Sequence, residues 1–512
     1  MSEHFYLCEP SAEQHHRIAH EAIIEKMNKL AKGGYRAQKK PVNANHIRYK
    51  CTMTNTISDV LKNRGWQEVT REDECEFFWC EPSVMKELFD HGLPNCLVKL
   101  CHFRNHHELT RKNLMVKNLK RFRRKYEKIF GKTEAQKIEF IPTTFELPGE
   151  YHMFIEEFRK SPGTIWIMKP VAKSQGKGIF LFRKLKDIEA WKRVGMTEQA
   201  GGDTQNREPP ETYVVSKYID NPFLVCGRKF DLRVYILVTS FSPLKVWLYR
   251  DGFARFSNTQ FSLDSIDDQC ILLTNVHLTN IAVQKTAPDY DAERGCKWSV
   301  GRLRRFLEAK YGMRKVAELF HEIDLIFIVS LLSVNKIIIQ DKHCFELYGY
   351  DILLDDNLKP WLLEINASPS LTASSKEDYT LKCNLLDDML DIVDLEGRMK
   401  GDERRVGDFD LIWDDGPVAP PKGTTEGWFA EVMAALRPPS NDANPTSGGF
   451  VLRPEGLPRL NSHLGCLSSK PDSIKLRPKL IKEFGNVSMT VENSGTPEAT
   501  EMDIMKKFQK VD

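Results

Sequence analysis

The sequence predicts a mixed α/β protein (α+β in its arrangement), and three observations carry that expectation. Two apolar runs, Leu347–Leu354 and Trp361–Ile365, flank the turn-forming Asp355–Asp356–Asn357, which is the pattern of a β-hairpin. Two more apolar strands, Thr164–Pro170 and Ile179–Phe182, enclose a loop that contains Gln175-Gly176-Lys177-Gly178. Ahead of them runs an amphipathic helix, Arg111–Lys132, with Leu114, Leu119, Phe122, Tyr126 and Ile129 as its expected apolar stripe.

Composition bounds the rest. The chain has 512 residues, enough for about two to four domains. Hydrophobic content of 41% and charged content of 28% are those of a soluble globular protein. A net charge of only +3, with no RNP, KH or zinc pattern, argues against nucleic acid as a partner. The 12 cysteines are scattered without C-x-x-C spacing, so free thiols in a reducing, intracellular compartment are expected. His4, Glu9, Glu13, His15 and His16 interrupt any signal-peptide core, and no apolar run is long enough to span a membrane.

In chain order, residues 1–45 read as a leader, with a helix over Ala12–Leu30 and a basic loop from Arg36 to Lys40. Residues 46–145 read as a small α/β domain: a strand over Ile47–Met53, a helix over Ile57–Asn63, a strand over Glu76–Trp79, then the basic helix. On that helix Lys117, Lys120, Arg121, Arg124, Lys125 and Lys128 are either a solvated face or a dock for an acidic polymer. Residues 146–395 hold the chemistry. Residues 396–512 are expected to be largely disordered, being rich in Pro, Gly, Ser, Asn and Thr from 415 onward. One island there, Trp428 to Leu436, has helical spacing and fits either a partner-binding or a transient helix.

Side chains alternate along a strand, so Glu364 and Asn366 share a face. A four-residue loop over Asp356–Lys359 sets Asp351 opposite Glu364. Two opposed carboxylates in apolar strands call for a cation between them, and carboxylates with an amide oxygen are hard ligands of the kind magnesium uses. A surface hairpin with solvated acids is the alternative. Lys169 ends the strand before the glycine loop, where it can reach a phosphate held by backbone N–H groups. The loop is neither a Walker A nor a Rossmann turn, since it lacks the Ser/Thr after Lys177 and a third spaced glycine. The strand Tyr213–Ile219 carries Lys217. In Gly227–Val238, Lys229, Asp231 and Arg233 fall at alternate positions and share one face, while Phe230, Leu232 and Val234 take the other. A cleft suits these charges better than an exposed edge, because the strand continues apolar through Tyr235–Val238. Arg255 adds a cation after a hairpin, and His277 reads as a hydrogen-bonded core residue.

The set WIMKP…QGKGI, SKYI, RKFDLR, GFARF, HLTN, FELYGYD and WLLEINASPSL resembles the tubulin–tyrosine-ligase-like family, and its glutamate-adding branch most. The likeness spans about residues 46–395 with the motifs in family order. It implies an ATP-grasp fold with a small N-terminal domain, a central domain and a C-terminal ATP-grasp domain. It implies that ATP is held by Lys112, Lys169, Gln175, Gly176, Ser216, Lys217, Tyr218, Ile219, Lys229, Phe230, Asp231, Thr279 and Asn280. Asp351, Glu364 and Asn366 are implied magnesium ligands, Arg255 and Lys297 hold the incoming amino acid, and Arg233 acts at the acyl-phosphate end. Many relatives have Gln where this chain has Ser216.

The activity so implied is ATP-dependent ligation of free L-glutamate to glutamate side chains in the acidic C-terminal tails of tubulin in microtubules. The basic helix then attracts the polyanionic tail or the microtubule surface; charge reversal on it without loss of microtubule binding would sink that idea. The alternatives are a glycine- or tyrosine-adding ligase of the same fold, or an inactive microtubule-binding subunit. An intact Asp351, Glu364, Asn366, Lys169 and Lys229 set argues against the last. Accessory subunits stay open. The resemblance also implies a cytoplasmic and cytoskeletal location, at the axoneme or basal body of a cilium or flagellum. No HRD or DFG occurs, which excludes a protein kinase.

Overall fold

Three sheets follow one another along the chain. The computed structural model describes residues 47–91, 98–171, 173, 178–188, 212–257, 260–263, 297–373, 375–420 and 459–466. The first sheet is parallel, in the order β2-β1-β3-β4, and is built from β1 (Arg48–Cys51), β2 (Gln67–Glu68), β3 (Phe77–Trp79) and β4 (Lys99–Leu100). Helices α1 (Thr56–Asn63) and α2 (Pro82–His91) form its crossovers. The Asn55 side chain caps α1 by accepting from the Ile57 N–H at 3.3 Å. Then come α3 (His107–Thr110), α4 (Lys112–Phe130) and α5 (Lys132–Lys137).

The second sheet is antiparallel, in the order β5-β8-β6-β7. It comprises β5 (Thr144–Leu147), β6 (Trp166–Pro170), β7 (Phe180–Phe182) and β8 (Tyr213–Lys217), and α6 (Tyr151–Lys160) packs Phe154 edge-on to Trp166 at 5.1 Å.

The third sheet has eight strands, in the order β14-β13-β10-β11-β16-β15, with β9 added to β10 and β12 to β11. Its strands are β9 (Leu224–Val225), β10 (Arg228–Phe241), β11 (Leu244–Phe256), β12 (Lys297–Ser299), β13 (Glu346–Leu354), β14 (Pro360–Asn366), β15 (Arg405–Val406) and β16 (Phe409–Asp414). Helices α7 (Val300–Tyr311), α8 (Met313–Val334) and α9 (Lys376–Val393) accompany it. From Ile323 to Leu331 helix α8 is buried on nearly every side, as a helix apolar all round must be, and Phe327 meets Tyr350 edge-on at 5.0 Å. Even so, no helix among the described residues is long and apolar enough to cross a membrane.

Four expectations need correction, and three more lie outside the described residues. The hairpin loop is 355–359, because Leu354 pairs with Pro360, not Asp355 with Pro360. Asp355 Oδ1 accepts from the N–H groups of Asn357 and Lys359, each at 2.9 Å, and closes the wider loop. Asp351 still faces Glu364, since an extra residue at Leu363 bulges β14 and shifts the register by one. On α4 the buried face is Met115, Val116, Leu119 and Tyr126; Leu114 is half-buried and Ile129 is 66% exposed. Spacings of four, three and four from Met115 through Leu119 and Phe122 to Tyr126 define that stripe, and Leu114 lies off it.

β5 straddles the boundary expected between 145 and 146, and joins the second sheet through Thr144↔Ser216 to Leu147↔Tyr213. The region from 396 is part of the fold as far as it is described. β16 pairs with β11, and Leu411, Ile412, Trp413, Leu460 and Leu464 are buried. The expected leader helix, His277 and the Trp428 island lie outside the described residues.

Candidate active site

The third sheet carries a row of charges across its strands. Register places Glu364 of β14 beside Asp351 of β13, Asp351 beside Arg233 of β10, and Arg233 beside Phe253 of β11. One step along, Asp231 pairs with Arg255, and Arg255 with Lys297 of β12. Alternation does place Lys229, Asp231 and Arg233 on one face, and all three are buried. Burial in such a row is tolerable only because the charges are matched. Arg255 donates to both Asp231 oxygens at 2.7 and 2.6 Å, and reaches Asp351 Oδ2 at 2.8 Å. Arg233 donates through Nη2 to Asp351 Oδ2 at 2.9 Å and through Nε to Oδ1. Burial alone would raise the Asp351 pKa, but Arg233 and then Arg255 outweigh it and hold the carboxyl well below the usual range.

Room for Arg233 comes from Gly349, which lies on β13 opposite Asn366 of β14. A Cβ at 349 would sit 2.9 Å from Pro369 Cβ and 3.1 Å from Arg233 Cδ. At Gly252 the neighbour is the Arg233 backbone itself, 2.2 Å from where a Cβ would be. Glycine at both positions is therefore a packing requirement of the arginine strand.

Lysines gather on the other side of Glu364. Lys112, at the start of α4, lies 4.0 Å from Glu364 Oε2 and donates to the Lys173 carbonyl at 3.3 Å. A small cavity is lined by Lys112, Lys169, Ser216 and Leu363, among others. Burial, together with the nearby Lys112 and Lys229, outweighs the attraction of Glu364 and Asp351 and pushes the Lys169 ammonium down to about 8. Lys229 donates to the Tyr218 hydroxyl at 2.9 Å, and its Nζ lies 4.7 Å from that ring's centroid. Ser216 shares a 2.8 Å hydrogen bond with Thr144. Tyr218 and Ile219 are buried, whereas Lys217 is exposed at the end of β8. Phe230 turns its ring into the core against Phe223 and Phe256, so only its backbone faces the charge row. Gln175, Gly176, Thr279 and Asn280 lie outside the described residues.

The donor set fits a hard cation in part. Glu364 has a side chain 30% exposed, and among the described residues its Oε1 takes only the Asn366 amide N–H at 3.2 Å. The Glu364 carboxylate and the neighbouring Asn366 amide, which turns its nitrogen to that carboxylate, are donor types that suit magnesium, and the lysines beside them suit phosphate. Asp351 is different, because both of its oxygens are engaged by guanidinium groups.

Beyond Arg255 lies a cluster that sequence reasoning missed. Lys297 pairs with Asp378 at 2.8 Å, and Lys382 with the same carboxylate at 3.1 Å. Asp378 and Lys382 are on α9, whose N-cap Ser375 accepts from the Asp378 N–H at 3.2 Å. Their i,i+4 spacing was the available signal, but it is common to exposed helix faces. Here Lys382 is buried, donates to the Thr372 carbonyl at 2.7 Å, and lies 6.0 Å from the Phe253 ring centroid. Among the described residues, four cations (Arg233, Arg255, Lys297 and Lys382) thus face three aspartates, a surplus of one positive charge.

Comparison with known proteins matches this arrangement to a family. The sequence signature of the Tubulin-tyrosine ligase family fits residues 92–401. A rat protein named "Probable tubulin polyglutamylase TTLL9" is 52% identical over 452 residues, covering 84% of this chain and 92% of that one. A Caenorhabditis elegans protein, "Probable tubulin polyglutamylase ttll-9", is 52% identical over 368 residues, 72% of this chain and 84% of its own. "Probable alpha-tubulin polyglutamylase Ttll1" of Tetrahymena thermophila is 44% identical over 392 residues, 72% of this chain and 91% of its own. The signature spans the charge row, its lysines and the α9 cluster, and the likeness to these relatives runs well beyond it: this chain belongs to the tubulin-tyrosine ligase family.

Proposed function

We propose that this ligase is an ATP- and magnesium-dependent tubulin polyglutamylase, which joins free L-glutamate to glutamate side chains of acidic tubulin tails. Ligases of this family use ATP. A free carboxylate does not yield an amide directly, because oxide would have to leave. The acceptor carboxylate instead attacks the γ-phosphorus, ADP leaves, and the resulting acyl phosphate is attacked by the amine with loss of phosphate. Little of this is covalent work for the protein, so positioning and charge neutralisation carry it.

In this reading Lys112, Lys169 and Lys229 neutralise the nucleotide's phosphates, with Tyr218, Ile219 and the backbone of Lys217 and Phe230 beside it. Magnesium, when bound, supplies charge neutralisation between phosphates. Glu364 and Asn366 would hold it directly, and Asp351 contributes its charge while fixing Arg233 and Arg255. The observation that carries the donor assignment is the cationic surplus at Asp378, where Lys297 and Lys382 share one carboxylate next to Arg255, which suits an incoming amino acid with a second carboxylate. Arg255 and Lys297 would meet those carboxylates, with Lys382 behind them. Arg233 lies nearest the phosphoryl end. Exposed Lys117, Arg121, Arg124, Lys125 and Lys128 on α4 favour approach of an acidic tail. The axoneme and basal body are the proposed places of work.

The test is incubation of the full chain with microtubules, ATP, magnesium and labelled glutamate or glycine. Label is expected in tubulin from glutamate, and lost in Glu364→Gln, which keeps size but removes a ligand charge. Incorporation from glycine alone, or an unaltered rate in Glu364→Gln, would overturn the donor or the metal assignment respectively.

A further inference from the structure

Residues 459–466 lie in a stretch whose composition predicts disorder, yet they form a strap across α7, α8, β11 and β16. Leu460 and Leu464 are buried, and so is Asn461 between them. The Asn461 N–H donates to the Val418 carbonyl at 2.7 Å, and its Nδ2 to the carbonyls of Leu411 at 3.2 Å and Arg404 at 3.3 Å. His463 Nδ1 lies 3.0 Å from Asp410 Oδ2. The Leu464 carbonyl accepts from Arg304 Nη1 at 2.7 Å, and the Gly465 N–H donates to the Arg250 carbonyl at 2.7 Å.

Two features mark this seat as fitted to the strap. Asp324 is a buried carboxylate in the mostly apolar α8, and the Ser462 hydroxyl donates to its Oδ1 at 2.8 Å. Gly465, at φ +73°, sits against α7 where a Cβ would come 3.2 Å from both Val300 Cγ1 and Arg304 Cβ. Its carbonyl oxygen in turn lies 3.3 Å from where a Cβ at Gly301 would be. Strap and first helical turn therefore pack backbone on backbone.

That turn follows directly on β12, which carries Lys297. β12 has only three residues and, among the described residues, pairs with β11 alone. The packing of α7 is thus a main support for where Lys297 points, 2.8 Å from Asp378 and 4.4 Å from the Phe253 ring centroid. We propose that the strap positions Lys297 for a carboxylate of the incoming amino acid by fixing the first turn of α7. This rests on the ligase reading, which puts Lys297 at the donor. None of the strap contacts given above is with a residue assigned to donor, nucleotide or metal, so its effect on the reaction passes through α7. Release of the strap weakens donor binding and leaves the nucleotide side alone.

Leu464→Asp in the full chain places a charge in the buried seat and should free the strap, seen as faster amide exchange at Gly465. Exchange over 297–304 should quicken with it. The KM for glutamate is expected to rise about 10–100-fold, the worth of a hydrogen bond to a charged group. Both kcat and the KM for ATP should stay within about threefold, because only uniform donor binding is lost. A synthetic peptide of residues 459–466, added in excess, should lower the KM again. Should Leu464→Asp fail to fold, Asn461→Ala combined with Ser462→Ala loosens the strap without touching its apolar seat and is read in the same way. An unchanged KM for glutamate with the strap freed would overturn the proposal, as would parallel loss of kcat and of ATP and glutamate binding. No incorporation by the unaltered protein would overturn the ligase reading and the donor role with it. Unchanged exchange over 297–304 on release would instead overturn the strap alone.

Discussion

The sharpest energetic test is Asp351→Asn. In the native sheet Arg233, Arg255, Asp231 and Asp351 form a closed set of four buried charges that sum to zero. The amide keeps the shape of the carboxylate and removes its charge. Arg255 keeps Asp231, but Arg233 loses its ionised partner while still buried. Stripping one partner from a buried pair costs about 3–5 kcal/mol, a large part of the roughly 5–15 kcal/mol that holds a typical domain together. The double variant Arg233→Met/Asp351→Leu removes both charges and leaves the Arg255–Asp231 pair neutral. It should regain at least about 2 kcal/mol over Asp351→Asn, because well-packed apolar replacements of an ion pair are often neutral. It should nonetheless transfer no glutamate. Equilibrium unfolding at pH 7, followed through the buried Trp247 and Trp413, measures both numbers.

The sign with pH is fixed too. Arginine holds the folded Asp351 pKa below the unfolded value of about 3.9, so its contribution is full above that value and fades as pH falls toward the folded one. The gap between parent and Asp351→Asn should therefore shrink only on acidification below about pH 4. A cost under about 1 kcal/mol at pH 7, or a double variant no more stable than the single, would refute the closed-set account.

Two other outcomes follow from the geometry. Lys169 titrates at about 8 in the free protein, and a nearby phosphate anion must raise that value. Nucleotide binding near pH 9 (roughly midway between the free value and an ordinary lysine at about 10.4) should take up protons, seen by calorimetry in buffers of different ionisation enthalpy, and Lys169→Arg should abolish the uptake. Gly349→Ala places a methyl 2.9 Å from Pro369 Cβ and 3.1 Å from Arg233 Cδ. It should cost about 1–3 kcal/mol and lower kcat more than it raises KM, whereas Gly416→Ala, with open space around it, should change neither.

Local rules made much of the site legible. A period of two puts Lys229, Asp231 and Arg233 on one face and Glu364 with Asn366 on another, whatever the strands' neighbours. Opposition of Asp351 and Glu364 was legible for a less secure reason: a loop one residue longer than expected is offset by the bulge at Leu363. Sheet membership was harder to read. The short run Phe409–Asp414 looks like a fragment in a polar tail, yet it completes the large sheet by pairing with β11. Likewise α4 shows its buried face only once Met115, not Leu114, is set against the body.

What the sequence determined by itself is the local chemistry: strand and helix phases, a carboxylate hairpin, a phosphate-seeking lysine and a family signature in order. Which charges neutralise which was decided by the tertiary structure alone. Arg233 meets Asp351 across 118 residues, Lys297 meets Asp378 across 81, and Arg304 reaches the Leu464 carbonyl across 160. No periodicity encodes such separations, because they are set by how sheets and helices close on one another. Burial then makes each pairing matter, since an ion or imidazole removed from water depends on the partner it meets inside.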